Sequence, residues 1–142
     1  MAIADTNSII RAHLVTCGTL TFYLTNPDGT WRIYCPRLPE DCTWPVGEGA
    51  LSFFTRGGGS TPYIPGIPGP SVQFDCWASD PITARTIYNK LYDNLQGIQH
   101  TAVGAYTILS AIEEVQGQDL VDAEIPNYFR VLTFFSIMVR AE

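Results

Sequence analysis

Charge of either sign is scarce in this sequence. Asp, Glu, Lys and Arg together make up 15% of it, and Lys90 is its only lysine. Phosphate binding wants a dense basic surface, so this scarcity and a net charge of -6 argue against direct nucleic-acid readout. Histidine is nearly missing too, with His13 and His100 alone. A hydrolase needs a nucleophile beside a base that a third group orients. Ser8, Ser52, Ser60, Ser71, Ser79, Ser110 and Ser136 all lie outside any G-x-S-x-G elbow. The G-G-G-S run at 57–60 lacks the lysine of a phosphate loop, and Pro62 interrupts any helix that would follow it. Cys17, Cys35, Cys42 and Cys76 match neither a metal knuckle nor a redox C-x-x-C pair. Asp119 and Asp122 fall far short of a calcium loop. No apolar stretch is long enough to span a bilayer, and no basic region leads into a compact apolar run with a cleavage site. The expectation is a protein that is not an enzyme, with no catalytic, metal or cofactor-binding residues and no membrane contact. Its cysteines are expected free, in a reducing cytoplasm.

What the sequence does have is apolar bulk: 46% apolar and 12% aromatic residues over 142 positions. That suits one domain burying roughly two-thirds of the surface its unfolded chain exposes. With so few charges, the surface must be made of Thr, Ser, Asn, Gln, Gly and apolar groups. Such a surface fits a protein held in contact with others, or else a plain neutral exterior.

The clearest unit runs from Ser71 to Leu95. In S-V-Q-F-D-C-W-A, Val72, Phe74 and Cys76 point one way and Gln73, Asp75 and Trp77 the other, which predicts a strand. Ser79-Asp80-Pro81 follows, with a side-chain cap and a proline suited to the first turn of a helix. From there Ala84, Ile87, Tyr88, Leu91 and Leu95 form one apolar stripe, predicting a helix over about 80–96 that ends at Gly97. A strand feeding a helix through so tight a junction predicts a two-layer unit.

Around this unit the pattern is mixed. Asp5 or Asn7 can cap a first helix over about 6–17, with Ile10, His13, Leu14 and Cys17 on one side and Gly18 as its stop. Leu20–Leu24 reads as β, Asn26-Pro27-Asp28-Gly29 as a turn, and Trp31–Tyr34 as a return strand. Residues 36–49 should be irregular, leaving Trp44 in need of a packing partner. Ala50–Thr55 reads as a strand, and so does Thr101–Leu109. Ser110–Val115 either continues that strand or forms a brief irregular one; Gln116–Asp119 is a predicted turn and 120–126 an exposed connection. Tyr128–Arg140 is a long closing strand, with Phe129, Val131, Phe135, Ile137 and Val139 on one face and Leu132, Phe134 and Met138 on the other. Both faces are substantially apolar, as for a strand covered on both sides; another subunit could supply the second cover. The predicted class is α+β: a mixed or antiparallel sheet, one main helix, an N-terminal helix and an extended arm.

That arm, 56–70, reads R-G-G-G-S-T-P-Y-I-P-G-I-P-G-P, with five glycines and four prolines. The glycines give backbone freedom and the prolines stiffen the second half. Long loops in compact domains are functional or disordered. Apolar side chains on a stiff arm suit docking, because little entropy is lost on binding. Candidate docking residues are therefore Arg56, Tyr63, Ile64 and Ile67 on the arm, with Trp44 and Trp77 outside it.

The order of these elements, with V-Q-F-D-C-W-A-S at Val72–Ser79 running into the helix that carries Ala84, Ile87 and Leu91, resembles the tail-terminator (tail-completion) proteins of long-tailed bacteriophages. Tyr128-Phe129-Arg130-Val131 looks like that family's closing strand. The resemblance spans about residues 8–139 and rests on arrangement, with no invariant catalytic residue. It implies a structural virion protein: a homo-hexameric ring that caps the tail tube and joins it to the head-completion or connector protein. Assembly would take place in the host cytoplasm, and the sites of action would be subunit contacts. The alternatives are another neck, connector or minor tail component, or a small cytoplasmic enzyme or binding module.

Overall fold

The computed structural model describes residues 6–39, 43–45, 47–59, 69–121 and 129–141. The fold is mixed α+β, a curled six-stranded sheet with a few short helices. Chain order is α1 (Thr6–Leu14), α2 (Gly18–Thr21), β1 (Ile33–Tyr34), β2 (Gly49–Gly59), β3 (Gly69–Ala78), α3 (Pro81–Leu95), β4 (Gln99–Val103), β5 (Tyr106–Val121) and β6 (Phe129–Ala141). The strands lie in the order β1-β2-β3-β6-β5-β4, all antiparallel neighbours except the short parallel pair β1–β2.

Alternation along β3 and β6 sorts their side chains between two faces. On the inner face Val72, Phe74 and Cys76 of β3 and Val131, Phe135, Ile137 and Val139 of β6 are all buried. Phe74 forms the middle of an aromatic row, 5.8 Å from Phe53 and 5.6 Å, edge-on, from Phe135. The helices close this face. The Asp80 carboxylate accepts the Ile82 amide (3.1 Å) to start α3, whose Ala84, Ile87, Leu91 and Leu95 are fully buried in the same cluster. Ile9, Ile10 and Leu14 of α1 and Leu20 of α2 complete it.

Two close approaches fix glycines. A side chain at Gly49 would run into the Trp77 carbonyl, and one at Gly117 would press on the Tyr88 ring at 2.8 Å. Gly117 lies in β5 where a turn is expected. The strand continues through 116–119 by shifting register between Glu113/Val115 and Val115/Gln118, and these bulges absorb the polar residues without breaking the ladder.

Other expectations are corrected. The first helix stops at Leu14, not near residue 17, and Gly18 opens α2 instead of ending α1. Leu20–Leu24 is not a strand. Leu20 and Leu24 are both fully buried whereas Phe22 between them is 72% exposed; their spacing is that of one helical stripe, and alternation alone misled. The expected 20–35 hairpin shrinks to one bridge, Thr25–Trp31, because β1 pairs with β2 instead. The strand expected at Thr101–Leu109 is a hairpin, turning at Gly104, whose φ is +59°.

The ends of the sheet differ. β2 and β3 meet at Gly59 and Gly69, whereas Val121 of β5 and Phe129 of β6 pair at the opposite end, beside Ala78. The free edge of β5 is guarded by α3 and its C-terminal cap. The Gly97 amide donates to the Ala111 carbonyl (2.9 Å), the Glu113 amide to the Gln96 side chain (2.6 Å), and Arg85 to the Gly117 carbonyl (2.9 Å). Edge strand β4 carries a kink at His100, whose φ is +48°. Both devices discourage further strand addition.

Candidate functional site

The outer face of the sheet is the candidate site. Here β3 presents Gln73, Asp75 and Trp77, β6 presents Arg130, Leu132, Phe134 and Met138, and β5 presents Ile112 and Val115. The helices lie on the other side, so among the described residues no helix covers this face. Ile112 is 56% exposed, Met138 41% and Val115 38%. Apolar groups in that state, side by side on neighbouring strands, mark a contact surface far better than scattered ones would.

Guanidinium groups lie over the aromatic rings of this face. Arg56 stands over Phe134 at 4.6 Å and Arg130 over Trp77 at 5.3 Å. Cation–aromatic contacts of this kind hold a charge at an apolar surface at modest cost. The Trp77 indole N–H donates to Ser52 Oγ at 3.0 Å, which fixes the ring. Beneath them Asp75 is only 5% exposed. Its Oδ2 accepts from Gln73 (3.2 Å), while Oδ1 lies 3.5 Å from Arg130 Nη1 and has no hydrogen bond. That separation is an ion pair without the alignment of a hydrogen bond. Burial pushes the Asp75 carboxyl above its ordinary range, opposed by the Gln73 amide and by Arg130.

Under the inner face sits the opposite case. Glu113 Oε2 accepts from Tyr88 Oη (2.7 Å) and from Thr133 Oγ1 (2.8 Å), whose one proton is shared with the Val115 carbonyl (2.8 Å), so two hydroxyls meet a half-buried carboxylate. Burial, followed by that bond to Glu113, raises the Tyr88 phenol to about 12. It stays a donor at any physiological pH. Arg85 stacks on the Tyr88 ring at 4.8 Å and reaches Asp119 at 3.4 Å. This cluster ties α3 to the bulged part of β5, and its members are spent on one another.

Arg32 is structural in the same way. It is 1% exposed and donates to the carbonyls of Tyr23, Thr25 and Gly49, to Asn26 and to Glu48, the last at 2.8 Å. His13 sits at the core edge, within 3.4 Å of the Asn94 carbonyl and 3.8 Å of the Cys17 sulfur. Cys17 and Cys76 are buried and free; burial raises the Cys17 thiol and holds the Cys76 thiol well above its usual range. Cys35 is exposed; Cys42 lies outside the described residues. Among the described residues, no three His, Cys, Asp or Glu side chains stand together as metal ligands. No helix there is long and apolar enough to cross a membrane.

Of the six docking candidates, Arg56 and Trp77 fall on the outer face, on neighbouring strands. Trp44 does not join them. It is half-buried at the β3–α3 junction, donating to Ser79 Oγ at 3.0 Å. Tyr63, Ile64 and Ile67 lie outside the described residues. Sequence reasoning omitted Ile112, Met138, Arg130 and Arg140 from the docking set, although the doubly apolar closing strand pointed toward three of them. Ile112 carried no signal, because the β5 bulges reverse its face without any cue in the residue pattern. No family model matches the chain, and no curated protein matches it.

Proposed function

We propose that this chain is a structural virion protein that assembles with copies of itself into a closed ring, and in the fuller form of the reading is the homo-hexameric tail terminator of a long-tailed phage.

 Closure of identical subunits into a ring is the core of this reading, and six copies at the end of the tail tube is its fuller form. In that place the ring would stop growth of the tube protein on one side and receive the head-completion or connector protein on the other. It would act at the head–tail junction of the virion after assembly in the host cytoplasm. Residues 56–59 and 69–70 of the expected arm belong to β2 and β3; the stretch between them, 60–68, would reach a neighbouring subunit or ring.

One observation carries the reading. The sheet has a second apolar face that lies away from its helix layer, with Ile112, Val115 and Met138 exposed on it. A subunit closed by its sister copies would have such a face. The resemblance of the Val72–Ser79 junction and of the Tyr128–Val131 run supplies the rest. Self-contained polar clusters at Glu113 and Arg32 fit a role in assembly better than one in chemistry.

The test is the mass of the purified protein in solution, alone and with tail tubes, followed by its location along the particle by electron microscopy. Closed rings at the head-proximal end of the tube are expected. A persistent monomer that leaves tube length uncontrolled would refute the reading, and rings found elsewhere in the neck would reassign it to a connector. Deleting residues 58–68 should block assembly while the domain still folds; normal particles from that deletion would remove the arm from the account.

A further inference from the structure

We infer that the open part of the β2 edge is a strand-acceptor site, and that residues 1–5 of the same chain fill it, antiparallel to residues 55–59. The inference concerns a single copy and stands apart from the ring reading.

The argument starts where β1 stops. β1 meets β2 through two pairs, Ile33 with Leu51 and Tyr34 with Ser52. The Leu51 amide donates to the Arg32 carbonyl (2.9 Å), so Leu51, Phe53 and Thr55 turn their backbone groups to that side. Ser52 and Phe54 turn theirs to β3. The next donor this parallel ladder requires is the amide of residue 36, and Pro36 has none. β2 nevertheless runs on to Gly59, paired with β3 past a bulge after Thr55. Among the described residues no strand flanks that stretch on its other side. Residues 57–59 are all glycine, so no side chain shields the backbone there. Bare amides and carbonyls in such a row are a template for another strand.

Helix α1 decides what reaches this template first. Its Asn7 Oδ1 accepts from Thr55 Oγ1 (2.7 Å), and Arg11 Nε, about one turn later, donates to the Ile33 carbonyl (3.3 Å). Ile33 lies level with Leu51, so α1 runs along the edge in the direction opposite to β2. The chain that enters α1 at Thr6 therefore comes from the Gly59 end. Residues 1–5 lie outside the described ones. Extended, five residues reach about 16 Å, and residues 55–59 span about 13 Å. Direction and length both suit an antiparallel partner. M-A-I-A-D holds neither proline nor glycine, and alternation would put Met1 and Ile3 on one face and Ala2 and Ala4 on the other. A sheet covered by helices on one side takes an edge strand of that pattern. A second copy would have to displace a tethered competitor whose effective concentration is about millimolar.

Residue-resolved amide exchange by NMR tests this on the intact chain at two protein concentrations. In wild type the Thr55 amide should be protected, equally at both. Ala2→Pro/Ile3→Pro removes two successive donors, one of which faces β2 in any register, and keeps the chain length. The Thr55 amide should then exchange about tenfold faster or more. The Phe54 amide, which faces β3, should keep its wild-type rate. A Thr55 amide that is unprotected in wild type, or still protected in the variant, would overturn the proposal. Protection that grows with concentration would give the edge to another copy and overturn it too. Should the variant lose Phe54 protection as well, it has unfolded, and wild type alone decides through α-proton contacts between residues 1–5 and 55–59. Cross-strand contacts are expected in its NOE spectrum, and their absence would sink the inference.

Discussion

The two faces of β6 differ little in composition and greatly in surroundings. Inward, Val131, Phe135, Ile137 and Val139 are buried under α1 and α3. Outward, Leu132, Phe134 and Met138 share their face with Arg130 and Arg140, and Met138 is 41% exposed. The faces also hold one shielded carboxylate each. Glu113, inside, accepts two hydroxyl donors; Asp75, outside, keeps an oxygen with no hydrogen bond. Among the described residues, the inner face is finished by this chain's own side chains and the outer one is not. Equal hydrophobicity does not mean equal contribution to folding.

The sharpest way to break this contrast is to truncate one large side chain on each face. Phe135→Ala should lower unfolding free energy by about 3–5 kcal/mol, whereas Met138→Ala should stay within about 0.5 kcal/mol. Urea titration of the isolated subunit measures both. Similar losses at the two positions would mean that the outer face is closed within the monomer.

The carboxylates sharpen the comparison further. Tyr88→Phe removes one of the two donors to Glu113 and should cost about 1–2 kcal/mol in the same titration. No loss would show that the inner cluster is not needed to hold β5 against α3. Asp75→Asn should act the other way and more weakly. Because burial raises the folded carboxyl's pKa, the folded protein binds that proton more readily than the unfolded chain does. The stability linked to Asp75 is therefore present below the ordinary Asp range and lost as pH rises through the raised folded value. At neutral pH the Asn variant should be more stable than wild type by about 1 kcal/mol or less. The gap should close as pH falls to about 3.5. A variant less stable than wild type at neutral pH would mean that the Arg130 pairing outweighs burial.

Legibility in the sequence followed how local the determining physics is. β3 and α3 could be read because alternation, an Asp80 cap and Pro81 at the first helical position all lie within a few residues of one another. The split between α1 and α2 could not, since Leu20 and Leu24 satisfy a strand pattern and a helix stripe equally until their burial is known. β5 was hidden by its bulges: Gly117 resembles a turn residue, and only the ring of Tyr88, far away in sequence, explains it. For the site, Arg56 was accessible as the first residue of the arm and Trp77 as the aromatic on the outward side of the β3 alternation. Their meeting with Phe134 and Arg130 depends on register between strands that are distant in sequence.

The bonds that α3 and its cap make along β5 have one more effect. With Gly97, Gln96 and Arg85 occupying its backbone groups and His100 bending the neighbouring strand, this edge of the sheet is a poor template for lateral pairing. A chain so rich in apolar residues can then be made in many copies at once without its sheets fusing along that edge.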